Sequence, residues 1–176
     1  MLKYQRGDSR AFEKLYARHK NQLYAYLYRS HVDLAVIEEI AQETWMAVVN
    51  SIANYLPSAK FKTYLYAIAH RKLVDYWRKN KYEQLIDTVD KSGEHLVESL
   101  EDRKSNTDNS VDLSMDLLLA LESLNKDQQQ AFLLKESGFS RVEIARVTGS
   151  NEETVKSRIR YATAHLRRTL EVQYAD

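Results

Sequence analysis

Apolar positions along this chain return at helical spacing in blocks, and the breaks between blocks carry the few residues that stop helices. After Gly7 and Asp8, a good N-cap, Phe12, Leu15, Tyr16, Leu23 and Leu27 recur near one face. Asp33 opens a second block in which Ile37, Ile40, Ala41, Thr44, Trp45, Val48, Val49 and Ile52 form one stripe, ending near "YLPS". Beyond Pro57, "KFKTYLYAIAHRKLVDYWRKNKY" predicts a third helix turned inward along Leu65, Ile68, Ala69, Leu73 and Trp77. The pattern weakens from Glu83 to Asp112, where only Leu96, Val97 and Leu100 could anchor, and this stretch reads as a polar linker. Periodicity resumes in "LSMDLLLALESL", followed by a helix from about Lys126 with Asn125 and Gln128 as a capping box. Ser140 with Glu143 and Ser150 with Glu153 repeat that signature on either side of "VTGS", which predicts helix, tight turn, helix.

One proline and four glycines in 176 residues disfavour a β-rich or loop-rich protein. The expected fold is all-α: two small helical domains, an N-terminal bundle over 1–82 and a C-terminal helix-turn-helix domain over 113–176, joined by an acidic flexible linker over 83–112. A hydrophobic content of 44% supports buried cores. With no cysteine, neither a disulfide framework nor a thiolate zinc site is available. The apolar runs are far shorter than the roughly 20 residues of a membrane span, and the start lacks the apolar stretch of a secretory signal, so a cytoplasmic protein without membrane insertion is expected.

A net charge of +1 hides a segregated pattern. Residues 1–82 carry fourteen Lys/Arg against seven Asp/Glu, residues 83–116 three against ten, and residues 117–176 nine against eight. A basic body, an acidic middle and a balanced tail result.

The chemistry follows the basic positions. In a helix-turn-helix, a small residue in the first helix, a turn glycine and an apolar inner face on the second allow a steep crossing; Ala145, Gly149, Val155, Ile159 and Ala162 fill these roles. The outward face then offers Thr154, Lys156, Ser157, Arg158 and Arg160, donors suited to phosphates and guanine edges. The segment from Lys60 to Lys81 interleaves Lys60, Lys62, Arg71, Lys72, Arg78, Lys79 and Lys81 with Phe61, Tyr64, Tyr66, Tyr76 and Trp77. Cations among aromatics suit single-stranded nucleic acid, although Phe61, Tyr76 and Trp77 equally suit a core; Tyr64 and Tyr66 are not expected to face inward together. The five histidines, His19, His31, His70, His95 and His165, show no metal-ligand spacing, so no metal, cofactor or catalytic site is expected.

These stretches, in this order, resemble the sigma factors of bacterial RNA polymerase, specifically the extracytoplasmic-function group. "GDSRAFEKLYARH" is similar to the opening helix and "IEEIAQETWMAV" to the polymerase-binding signature. "FKTYLYAIAHRKLVDYWRK" resembles the strand-separating, minus-ten-reading helix, and residues 117–170 resemble the minus-thirty-five-reading domain. The resemblance implies that Glu39, Gln42, Glu43 and Trp45 lie near the contact with core polymerase. It implies that Lys60, Lys62, Tyr64, Tyr66, His70, Arg71 and Arg78 meet minus-ten DNA. It implies that Thr154, Lys156, Ser157, Arg158 and Arg160 meet minus-thirty-five DNA. Tyr64 stands where the family usually has Trp, Arg71 where Asn is common, and Trp45 where Phe is common.

The implied activity is non-enzymatic: a transcription initiation factor, monomeric when free, whose partners are core RNA polymerase, promoter DNA and an anti-sigma factor. Energetics agree with a large partner. Opening on the order of ten base pairs costs about 14 kcal/mol, whereas each stacked base returns only about 1–3 kcal/mol. A 30-residue linker would span roughly 30 Å relaxed and about 100 Å stretched. That reach covers the roughly 50 Å of one and a half duplex turns. The competing reading is a dimeric helix-turn-helix regulator, which leaves the basic aromatic segment without a purpose.

Overall fold

The computed structural model describes residues 1–30, 33–90 and 109–173, with 83–90, 109–115 and 172–173 described by backbone alone. Among these residues all regular structure is helical: α1 (Leu2–Gln5), α2 (Ser9–Arg29), α3 (Leu34–Asn50), a 3-10 turn (Ile52–Asn54), α4 (Phe61–Asp90), α5 (Asn109–Glu122), α6 (Lys126–Glu136), α7 (Arg141–Thr148) and α8 (Glu152–Gln173). The linker expected over 83–112 is shorter than the sequence implied, because α4 continues through 83–90 and α5 begins at Asn109. The proposed anchors Leu96, Val97 and Leu100 lie outside the described residues.

The N-terminal lobe, α1 to α4, closes over Leu23, Leu27, Ile37, Ile40, Ala41, Val48, Leu65, Ala69 and Leu73, all buried. Asp8 caps α2 by accepting from the Ala11 N–H at 3.2 Å. The C-terminal lobe, α5 to α8, is built on Leu121, Leu134, Ile144, Val147, Val155 and Ala162.

The two lobes are packed together rather than held apart on a tether. Helix α4 lies along α3 on one side and α7 on the other, and α2 touches α6. One cluster of buried side chains therefore runs through both lobes. The reason lies in α4, which carries two buried stripes. Leu65, Ala69 and Leu73, at i, i+4 and i+8, face the N-terminal core; Thr63, Tyr66 and His70, at i, i+3 and i+7, face the other lobe.

Capping in the C-terminal lobe follows the sequence at one junction and departs from it at two. Ser140 and Glu143 form a reciprocal capping box at the start of α7. Asn125 caps α6 through the Asp127 N–H at 2.9 Å instead of through Gln128. At α8 the cap is Asn151, whose side chain accepts from the Thr154 N–H at 2.8 Å. Ser150, expected in that role, instead shares a 2.6 Å hydrogen bond with Thr148. Gly149 ends α7 at φ +65°, a left-handed conformation that a side chain disfavours.

Candidate nucleic-acid and polymerase interfaces

Helix α3 turns its apolar stripe inward and leaves Glu39, Gln42 and Glu43 exposed. At i, i+3 and i+4 these form one surface strip, which Met46, 53% exposed at i+7, extends. Met46 was not among the expected contacts; a methionine beside Trp45 reads as core until Trp45 is known to fill the inward position. Trp45 is buried, with its ring edge-on to Phe12 at 5.9 Å and Tyr16 at 5.0 Å. It packs α3 against α2, beneath the strip that Glu39, Gln42 and Glu43 expose. Glu43 accepts from Lys72 Nζ at 2.6 Å, tying the strip to α4. A cavity of about 330 Å³ opens between these helices, with Glu39, Glu43, Lys72 and Asp75 on its walls.

The minus-ten candidates fall into two groups. Arg71 and Arg78 are exposed, and Arg78 pairs with Asp75 at 2.9 Å. Tyr64 is half-buried: its hydroxyl meets Ser51 at 2.6 Å and its ring stands edge-on to Tyr55 at 5.2 Å. Beside it lies a cavity of about 400 Å³ to which Tyr55, Leu56, Thr63 and Arg146 also contribute. Leu56 is 79% exposed, and hydrophobic spacing does not place it and Tyr55 beside Tyr64, since the turn at Pro57 sets their placement.

Four other minus-ten candidates meet the C-terminal lobe: Lys60 is largely exposed, Lys62 half-buried, and Tyr66 and His70 buried. Lys60 pairs with Glu143 at 3.1 Å. Lys62 donates to the Ser137 carbonyl at 2.6 Å and stands 4.7 Å over the Phe139 ring. Its pKa is lowered by burial, with Glu143 opposing that shift. Tyr66 is fully buried between Tyr26 at 5.1 Å and Phe139 at 4.8 Å, and burial pushes its hydroxyl up to about 12. His70 is buried 3.5 Å from the Tyr26 hydroxyl, and burial lowers its pKa. In this arrangement Tyr66 and His70, implied by the resemblance to meet minus-ten DNA, are turned into the contact between the lobes. Glu143, held by the Ser140 backbone N–H and by Lys60, has its pKa lowered to about 2 and is charged throughout the physiological range.

In α8, Val155, Ile159, Ala162 and Leu166 are buried and fix the helix against its lobe. Lys156 and Arg160 project outward, while Thr154, Ser157 and Arg158 are half-buried. Arg158 is ion-paired with Asp127 of α6. Tyr161, 55% exposed beneath the Arg160 guanidinium at 5.0 Å, adds an aromatic to this face that donor counting alone overlooked. Among the described residues no group of three or more His, Asp or Glu could hold a metal ion, and no helix is long and apolar enough to cross a membrane.

Residues 15–82 match the family model for Sigma-70 region 2, and residues 114–166 that for Sigma-70, region 4. The chain is 29% identical over 157 residues to the ECF RNA polymerase sigma factor BldN of Streptomyces coelicolor, covering 87% of this chain and 58% of BldN. It is 28% identical over 176 residues to the ECF RNA polymerase sigma factor SigW of Bacillus subtilis, covering 94% and 91%. Its fold is similar to that of the sigma factor RpoE in a complex with the anti-sigma factor NepR from Bartonella quintana, with a TM-score of 0.73 at 23% identity over 92% of this chain and 98% of that one. With both sigma regions matched in chain order on one all-helical fold, the chain belongs to the sigma factors of bacterial RNA polymerase, in the extracytoplasmic-function group.

Proposed function

We propose that this chain binds core RNA polymerase through the N-terminal lobe, captures the opened non-template strand along α4, and reads a duplex upstream element with α8. In that division of labour residues 1–82 act as the polymerase-binding and minus-ten unit, 83–112 as the connection, and 113–176 as the minus-thirty-five unit. The observation that carries the reading is the coexistence of two unlike nucleic-acid surfaces on one chain. Helix α4 mixes cations with rings beside a cavity that Tyr55 and Tyr64 help to line, which suits unstacked bases. Helix α8 presents Lys156 and Arg160 from a glycine-turned helix-turn-helix, which suits a major groove. Glu39, Gln42, Glu43 and Met46 supply a separate, mainly acidic strip for the polymerase. An anti-sigma factor is proposed as a further partner, in keeping with the RpoE–NepR complex.

The assignment is tested by separating the surfaces. Gln42→Ala combined with Glu43→Ala is expected to abolish co-purification with core polymerase while sparing duplex binding. Lys156→Ala combined with Arg160→Ala should weaken recognition of the upstream element and leave polymerase binding intact. Equal loss of polymerase binding in both proteins would show that the two surfaces are not distinct.

A further inference from the structure

We propose that α1 belongs to the strand-capturing site: Gln5 is a positioning residue that, together with Pro57, fixes Leu56 as a rigid apolar contact for an opened base beside Tyr64. This rests on the strand-capturing reading above. Residues 1–14 precede the span that matches Sigma-70 region 2, so that match assigns α1 no part. The side-chain amide of Gln5 donates to the Ala53 and Tyr55 carbonyls, each at 3.3 Å, in the connection between α3 and α4. These contacts reach across 48 and 50 residues of sequence, and α1 packs against the 3-10 turn that carries Ala53. On its other side α1 is anchored on α2, where the Tyr4 and Phe12 rings lie 5.1 Å apart. It therefore splints the connection to the body of the lobe.

A single exposed leucine is ordinary on a protein surface and needs no purpose. Leu56 differs in how its backbone is held. The peptide group that joins it to Tyr55 is the one whose carbonyl Gln5 binds. The residue before a proline is confined to extended conformations, and the Leu56 carbonyl accepts from the Ser58 N–H at 2.8 Å, closing a tight turn over Pro57. Tyr55 is buried, with its ring edge-on to Tyr64 at 5.2 Å, so the chain entering Leu56 is fixed by packing as well. The result is an apolar side chain, 79% exposed on a fixed backbone, on the wall of the cavity it shares with Tyr64. Holding a loop in one shape before binding removes the ordering cost that a mobile loop would incur on contact. Leucine is among the side chains that wedge between unstacked bases, where an apolar group meets a base face without needing a hydrogen bond. A base entering the cavity thus meets the Tyr64 ring and the Leu56 side chain together.

The full-length chain, wild type or variant, is assembled with bacterial core RNA polymerase and challenged with a randomised single-stranded oligonucleotide pool; the retained strands are sequenced and their base preferences aligned. Folding is followed separately by circular dichroism melting. Leu56→Ala, at an exposed side chain, is expected to leave the melting midpoint unchanged and to flatten the preference at one position about fivefold, as for loss of an apolar contact. Gln5→Met keeps the length and helical propensity but removes the donor, and should flatten that same position roughly threefold. Gln5→Lys, which restores a donor, should recover it. In the Leu56→Ala background Gln5→Met should change nothing further, because it acts through Leu56. A profile that either single variant leaves intact, or one that Gln5→Met alters equally in the Leu56→Ala background, would overturn the splint, whatever happens to the melting midpoint. Tyr64→Ala separates this from the underlying reading. If Tyr64→Ala flattens the profile and Gln5→Met does not, the splint alone fails. If neither does, or if wild type enriches no strands over core polymerase alone, strand capture by this face fails with it.

Discussion

Tyr64 and Tyr66 sit two positions apart on α4 and end in different surroundings. Tyr64 reaches the edge of a cavity with its hydroxyl on Ser51, whereas Tyr66 disappears beneath Phe139. Helical spacing alone separates the two directions but cannot say that a second lobe will cover one of them, because that surface lies more than 70 residues away in sequence. Tyr64→Ala is expected to slow strand opening in an initiation assay more than it weakens duplex binding, while Tyr64→Phe, which keeps the ring, restores opening. Equal loss in both assays would make Tyr64 a packing residue. His70 carries a pH dependence of definite sign. Burial and Arg158 lower its pKa from 6.5, while Gln130 and Asp127 oppose them. Tyr26 and the Gln130 amide approach the ring itself, and Asp127 and Arg158 face it from α6 and α8. When the lobes part, the ring regains water and binds protons more readily than in the closed form. Closure is therefore intact above pH 6.5 and weakens as pH falls through the interval down to the lowered pKa. Scattering across that range should show acid-induced extension, and His70→Gln should flatten it. An unchanged profile in His70→Gln would remove His70 as the cause. His19, also lowered by burial, titrates within the N-terminal lobe and gives overall stability a slope of the same sign.

At the scale of elements, the helix-turn-helix was the most legible part of the sequence. Ala145, Gly149, Val155, Ile159 and Ala162 were assigned from spacing, and the structure buries Val155, Ile159 and Ala162 and turns the chain at Gly149. What spacing missed was which oxygen would cap α8, since Ser150 and Asn151 are both competent and one residue of shift decides between them. The Ser140 cap is unambiguous. Ser140→Ala is expected to cost about 1 kcal/mol, which lowers the melting temperature by roughly 2–4 °C for a chain of this size. Gly149→Ala forces a side chain into the left-handed region and should cost about 1–2 kcal/mol. Differential scanning calorimetry reads both, and an unchanged midpoint in either would contradict the local account. Helix α4 is the least legible element: its inner stripe follows the helical period, but Thr63, Tyr66 and His70 combine polarity with burial and give no clear apolar period.

For the whole molecule, sequence patterning identified two helical units with a charged segment between them, but described them as tethered and separate. Their contact depends on matched polar groups, among them Gln130 with Tyr26 and Ser30 and Lys60 with Glu143, which hydrophobic periodicity cannot register. A dimeric regulator would use the second lobe but has no role for a region 2 domain with an aromatic, basic helix, whereas an initiation factor uses both. Because stacking of a few bases falls short of the cost of opening duplex DNA, activity is expected only with polymerase present. The most direct test is run-off transcription by core RNA polymerase on a genomic library, with and without the purified chain. Discrete start sites that appear only when the chain is added, sharing two spaced upstream elements, are the predicted result. Sequence-specific duplex binding by the chain alone, with no polymerase association and no new start sites, would contradict the account.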